Sequence, residues 1–182
     1  MNHQHGAAFG LTQQNNLIAF DEIGFEDAND TSTASTPINL TPDTWTALPN
    51  DGLGSFSNKS YLPGGITRLF NPSTGKIDPT ELELGSYLLV RADWTVNPTI
   101  NGAFVEYRLT LGNGGNAYAL PVFSTSLANG GGKDYRFTPL SYVYMGDTNT
   151  RDNEIGLEVK CSELSTLTVA GMAIQAARRV ML

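Results

Sequence analysis

The groups in this sequence that can do chemistry are few and scattered. His3 and His5 are its only histidines. Two imidazoles at that spacing on a polar terminus make a weak surface metal site or stay solvated, and the rest of the chain is left without the commonest general base. Serine and threonine are plentiful, but no Gly-x-Ser-x-Gly occurs, so hydrolysis by a Ser-His-Asp triad is excluded. Cys161 is the only cysteine; it permits neither an intrachain disulfide nor a structural zinc site, and it reads as a small hydrophobe on a strand.

Oxygen-bearing side chains give three further patterns to weigh. Asp93, Glu106, Glu158 and Glu163 include the kind of carboxylate pair a glycosidase uses, but they fall within strand-like segments as isolated surface acids. The run Asp147 to Glu154 concentrates oxygen ligands as calcium loops do, yet Arg151 stands at an alternate position where a ligand is needed, and the EF-hand glycine is missing. Gly112-Asn113-Gly114-Gly115-Asn116 and Asn129-Gly130-Gly131-Gly132 resemble phosphate cradles only in composition. Neither is followed by a helix or by Gly-Lys-Ser/Thr, so both read as turns. The sequence therefore predicts no catalytic residue, no metal and no cofactor, and a protein that is not an enzyme. Its aromatics, among them Trp45, Tyr61, Tyr87, Trp94, Tyr107, Tyr118, Tyr135, Tyr142 and Tyr144, are read as core or subunit contacts, with a sugar-stacking platform as the functional alternative.

The elements that must carry these residues are strands. From Thr44 onward, short apolar segments rich in Val, Ile, Thr, Tyr and Phe alternate with turns. In Tyr87 to Val96, Leu88, Val90, Ala92, Trp94 and Val96 share an apolar face, opposite Tyr87, Leu89, Arg91 and Asp93. In Ala103 to Leu111, Val105, Tyr107, Leu109 and Leu111 alternate with Glu106, Arg108 and Thr110. Further strands are predicted over Ala117–Phe123, Tyr135–Met145, Glu154–Cys161 and Leu167–Ala176, with a hairpin around Asn71-Pro72-Ser73-Thr74-Gly75. About eight strands with no internal repeat and no long amphipathic helix point to two packed antiparallel sheets, an all-β jelly-roll β-sandwich.

Residues 1–43 differ in kind. They hold no Lys or Arg, while Asp21, Glu22, Glu26, Asp27, Asp30 and Asp43 supply their charge. Leu17, Ile18, Phe20, Ile23 and Phe25 form an apolar cluster between Gln/Asn-rich and Ser/Thr-rich stretches. The reading is an extended acidic N-terminal arm over 1–43, ordered by docking on a partner through those five residues, and a jelly-roll domain over 44–182. The 182-residue length supports one full-sized core. A net charge of −7 without clustered basic residues argues against a nucleic-acid partner. No segment approaches the roughly 18 apolar residues of a membrane span, and no basic-then-apolar leader is present, so a soluble product made in the host cytoplasm is expected.

Leu84-Gly85-Ser86-Tyr87-Leu88-Leu89-Val90-Arg91-Ala92 resembles the glycine, any residue, tyrosine, alternating-apolar strand of C1q/TNF-like jelly rolls and of many bacteriophage fibre and decoration proteins. The order of Trp45, Lys76-Ile77-Asp78, Ile155-Gly156-Leu157-Glu158-Val159 and Leu167-Thr168-Val169 is similar to that of those families over residues 44–176. The resemblance implies a homotrimer of jelly rolls on a virion, either a capsid decoration (cement) protein or a head fibre. The absence of a Gly-repeat or heptad stalk favours the compact decoration protein, bound to the major capsid protein or another virion protein through its arm. The competing expectation is a fibre-tip domain that recognises host glycans.

Overall fold

The two segments of cleanest alternating polarity become strands of opposite sheets, and their apolar faces meet. The computed structural model describes residues 20–129 and 131–179. Sheet A contains β1 (Phe20–Asn29), β2 (Ile38–Leu40), β4 (Asn58–Tyr61), β7 (Tyr87–Pro98), β10 (Tyr135–Phe137), β11 (Leu140–Tyr144) and β13 (Ser165–Arg179). Sheet B contains β3 (Thr46–Ala47), β8 (Ala103–Leu111), β9 (Tyr118–Leu127) and β12 (Gly156–Cys161). A small ribbon, β5 (Phe70–Asn71) with β6 (Lys76–Ile77), flanks them and turns through Gly75 at φ 69°.

All described pairings are antiparallel. Across sheet A the order is β10, β7, β13, β1, β4, with β11 continuing the β10 edge of β7 and β2 pairing with β13. Across sheet B it is β3, β12, β8, β9. The chain passes from sheet A to B between β7 and β8, returns between β9 and β10, and changes sheet on either side of β12. Repeated exchange of this kind between two antiparallel sheets is the jelly-roll arrangement.

Between the sheets, Leu88, Val90, Ala92, Trp94 and Val96 of β7 face Val105, Tyr107, Leu109 and Leu111 of β8, all at most 2% exposed. Trp94 packs against Phe137 (ring centroids 4.5 Å apart), Tyr107 (5.9 Å) and Phe123 (6.0 Å). Each fully buried Leu or Val stabilises the fold by about 1.5–3 kcal/mol, and in a chain without a disulfide this burial is what holds the two sheets together. Cys161 is buried and free, and Ser165 Oγ donates to its sulfur at 3.0 Å.

The structure corrects the boundary at residue 43. Residues 20–43 are not an arm; β1 pairs with β13 from Phe20↔Arg179 to Asn29↔Gly171, and β2 pairs with Ser165 to Leu167 of the same strand. The reason lies in which side of β1 is inward. Gly24, Glu26 and Ala28 are buried while Ile23 and Phe25 point out, so the strand has no apolar inner stripe for a period-two search to find. Its inner side is covered by the chain after β4. Tyr61 O and Pro63 leave no room for a Cβ at Gly24, and Leu69 N and Phe70 N donate to Glu26 Oε2.

A bulge in β13 takes the place of regular pairing between Val169 and Gly171. Gly171 has φ 145°, and a Cβ there would lie 2.5 Å from Ala28 O, so the strand needs glycine at this close approach. The one-turn α1 (Ser32–Ser35) supplies the missing ladder partner: Val169 N donates to Thr33 Oγ1 at 2.8 Å, and Asp30 Oδ2 accepts from Thr33 N at 2.8 Å. The predicted Tyr135–Met145 strand is split into β10 and β11 around Thr138-Pro139, both halves on β7.

Candidate assembly surface

The register of sheet A fixes what its outer side presents. One row runs Tyr61, Phe25, Gln175, Leu89, Tyr142 across β4, β1, β13, β7 and β11. The next runs Ile23, Ala177, Tyr87, Tyr144, and a third runs Asp27, Ala173, Arg91, Leu140. Side chains opposite each other in a ladder share a face, so five strands contribute to this side of the sheet, although Ala177 in the second row is itself covered. Ile23 is 64% exposed, Tyr61 and Leu140 59%, and Tyr142 and Tyr144 54%. Phe25 stacks on Tyr61 at 5.1 Å, and Tyr87 lies against Tyr142 at 5.3 Å, which stiffens the aromatic rows. Charge enters beside them, in Asp27 and in an Arg91–Asp93 pair at 3.1 Å.

Sequence reasoning points to five apolar residues at this end of the chain for partner binding. Ile23 and Phe25 do face outward, although from a strand rather than an arm. Phe20 opens β1 opposite Arg179, and Leu17 and Ile18 lie outside the described residues. Tyr61, Tyr142 and Tyr144, read from sequence only as core or subunit contacts, join Leu89 and Leu140 in this surface beyond those five. They come from segments far apart in sequence and are joined only by strand register.

The other candidate chemistry is dispersed. Asp147 caps the four-residue α2 (Thr148–Arg151) by accepting from Thr150 N at 2.7 Å. Asp152 pairs with Arg151 at 2.6 Å, and Glu154 accepts from Asn71 Nδ2 at 2.6 Å. The oxygens of the calcium-like run thus serve separate partners, and no group of three or more His, Cys, Asp or Glu suited to a metal occurs among the described residues. Glu106 and Glu158 sit on the outer side of sheet B in pairs with Lys160 and Arg108, and Asp93 is on sheet A. No helix among the described residues is long and apolar enough to cross a membrane.

No family model and no curated protein matches the chain. Solved structures do. The PRD1 vertex protein P5 is 12% identical, covering 87% of this chain and 99% of its own, with TM-score 0.44. Eiger TNF from S. frugiperda is 9% identical over 88% and 94%, with TM-score 0.48. A chain of infectious bursal disease virus Gt strain is 13% identical over 87% of this chain and 34% of its own, with TM-score 0.39. At such identities and scores, the jelly-roll assignment rests on the strand order and sheet exchange described above.

Proposed function

We propose that this protein is a virion structural protein, a bacteriophage capsid decoration (cement) protein that closes into a homotrimer through the outer face of sheet A. The observation that carries the self-assembly reading is the exposed aromatic and aliphatic surface around Phe25, Leu89 and Tyr142, crossed by Gln175 between Phe25 and Leu89. Monomeric soluble proteins rarely expose apolar patches beyond a few hundred Å². A specific interface buries roughly 800 Å² per partner, an area that five strands of one sheet can supply. A cyclic arrangement satisfies such a face on every copy and leaves none open to further growth.

The virion setting follows from the resemblance of the 84–92 strand and its surroundings to phage decoration and fibre proteins. In this reading the segment before β1, with Leu17 and Ile18, attaches to the major capsid protein or another virion protein, while Ile23 and Phe25 serve contacts between copies. The trimer forms in the host cytoplasm and then joins the particle.

Sedimentation equilibrium of the full chain tests the assembly: a mass of three chains is expected, and a monomer at all concentrations overturns it. Deletion of residues 1–19 is expected to preserve the trimer and abolish particle binding; particles decorated as before by the deleted form overturn the attachment.

A further inference from the structure

We infer that the outer face of sheet B carries a binding site for a neutral saccharide ring, centred on Trp45. A cavity of about 240 Å³ opens there, lined by Trp45, Glu106, Arg108, Pro121, Val122 and Ser124 among others. Strand register builds it. Glu106 stands opposite Lys160 of β12 on one side and Ser124 of β9 on the other, and Arg108 stands between Glu158 and Pro121. Pairing shifts between Tyr107↔Phe123 and Arg108↔Pro121, so Val122 is the extra residue of a bulge. A bulge bends its strand and re-aims side chains, and here it coincides with the concavity.

Trp45 closes the opposite wall. It directly precedes Thr46, which pairs with Val159, and its indole is held by two cations: the Arg108 guanidinium carbon lies 3.9 Å from the ring centroid and Lys160 Nζ lies 5.0 Å away. Such contacts fix an aromatic plane that would otherwise rotate freely beside a two-residue edge strand. Together these groups form a positioned aromatic wall, an aliphatic wall at Pro121 and Val122, and a polar floor.

The floor selects the class of ligand. Lys160 pairs with Glu106, and Arg108 pairs with Glu158 at 2.7 Å, so the charges alternate in sign and cancel. An ion of either sign meets a like charge beside every opposite one. A neutral polyol meets none. Its hydroxyls donate to the Glu106 carboxylate and accept from the Arg108 guanidinium, and its C–H face lies on the apolar walls. Drug-sized ligands occupy roughly 300–1,000 Å³; this smaller cavity suits one pyranose, with the remainder of a glycan running out into solvent. The site lies on the sheet opposite the assembly surface, so it stands or falls independently of the oligomer.

The test is titration of the full-length protein with the methyl glycosides of glucose, galactose, mannose, N-acetylglucosamine and rhamnose, and with glucuronate, followed by calorimetry and indole fluorescence. Trp94 is 2% exposed, so a fluorescence response to a small sugar reports Trp45. Saturable binding of at least one neutral glycoside is expected, weakened at least tenfold by Trp45→Ala and at least fivefold by Glu106→Gln. Ser124→Arg, at an exposed position on the rim, blocks the cavity without touching the core and decides the matter if Trp45→Ala fails to fold. No saturable binding by any neutral glycoside, unchanged affinity in Ser124→Arg, or tighter binding of glucuronate than of its neutral counterpart overturns the inference.

Discussion

The two outer faces of the sandwich solve the same problem in opposite ways. Both sheets alternate, and both turn apolar side chains inward. Outward, sheet B presents Lys160–Glu106 and Arg108–Glu158 as cross-strand ion pairs with Trp45 laid over their cations, and Phe104 exposed beside them. Sheet A presents Ile23, Phe25, Tyr61, Leu140, Tyr142 and Tyr144. A ladder of alternating charge is at ease in water, whereas rows of aromatic rings remain exposed only until something covers them. The difference sets a wet face of cross-strand ion pairs against a face of exposed rings, distinguished by side chains that backbone geometry treats alike.

The largest break in this contrast should come from giving sheet A a face like that of sheet B. Phe25→Glu with Tyr142→Glu places like charges at the centre of the proposed interface; the assembly constant is expected to fall by a thousandfold or more, about 4 kcal/mol, with the circular dichroism of the fold retained. Sedimentation equilibrium of the double variant, run beside the parent, measures it.

The inner sides of the sheets offer the next test. Sheet B turns only apolar residues inward from β8, but β1 of sheet A turns in Glu26, whose carboxylate accepts from Leu69 N and Phe70 N. Glu26→Ala strands both amides and is expected to cost about 3 kcal/mol in denaturant unfolding. Glu26→Gln keeps an acceptor and should be nearly neutral. Burial pushes the Glu26 carboxyl above its ordinary value of 4.5, against the pull of those two backbone hydrogen bonds and of Lys59 and Arg68. A raised carboxyl pKa favours the protonated folded state, so this group's contribution to stability is complete below pH 4.5 and is lost as pH rises through the folded value. Unfolding curves of Glu26→Gln measured from pH 4 upward should lack that decline; an identical slope in both proteins rules the effect out.

The smallest effect belongs to the wet face. A double-mutant cycle on Arg108 and Glu158, whose side chains are 26% and 24% exposed, should give a coupling of about 0.5–1 kcal/mol that shrinks in salt. A coupling above about 2 kcal/mol, beyond what surface pairs supply, would mean that this ladder is structural in its own right and would blur the contrast between the faces.

How much of this was legible in sequence follows from the same geometry. β7 and β8 were readable because their inward positions are apolar without exception. β1 was not, because glycine, glutamate and alanine occupy its inward positions and its isoleucine and phenylalanine point out; the pattern looked like an anchor on an arm because the apolar residues really are exposed. The two-residue strands β3, β5 and β6 carry too few positions for any period to show. The proposed assembly surface required knowing that Phe25, Gln175, Leu89 and Tyr142 share a row, and the Trp45 cavity required a bulge at Val122. Register and bulges are set by long-range pairing, which a single pass along the chain does not contain.

Among the described residues β13 is the longest strand, and it lies between β7 on one side and β1 with β2 on the other. β7 with β10 and β11, and β1 with β4, meet in one sheet only through it. Without β13 sheet A is two separated half-sheets, so the row from Phe25 to Tyr142 comes into being only when this strand is seated by long-range pairing.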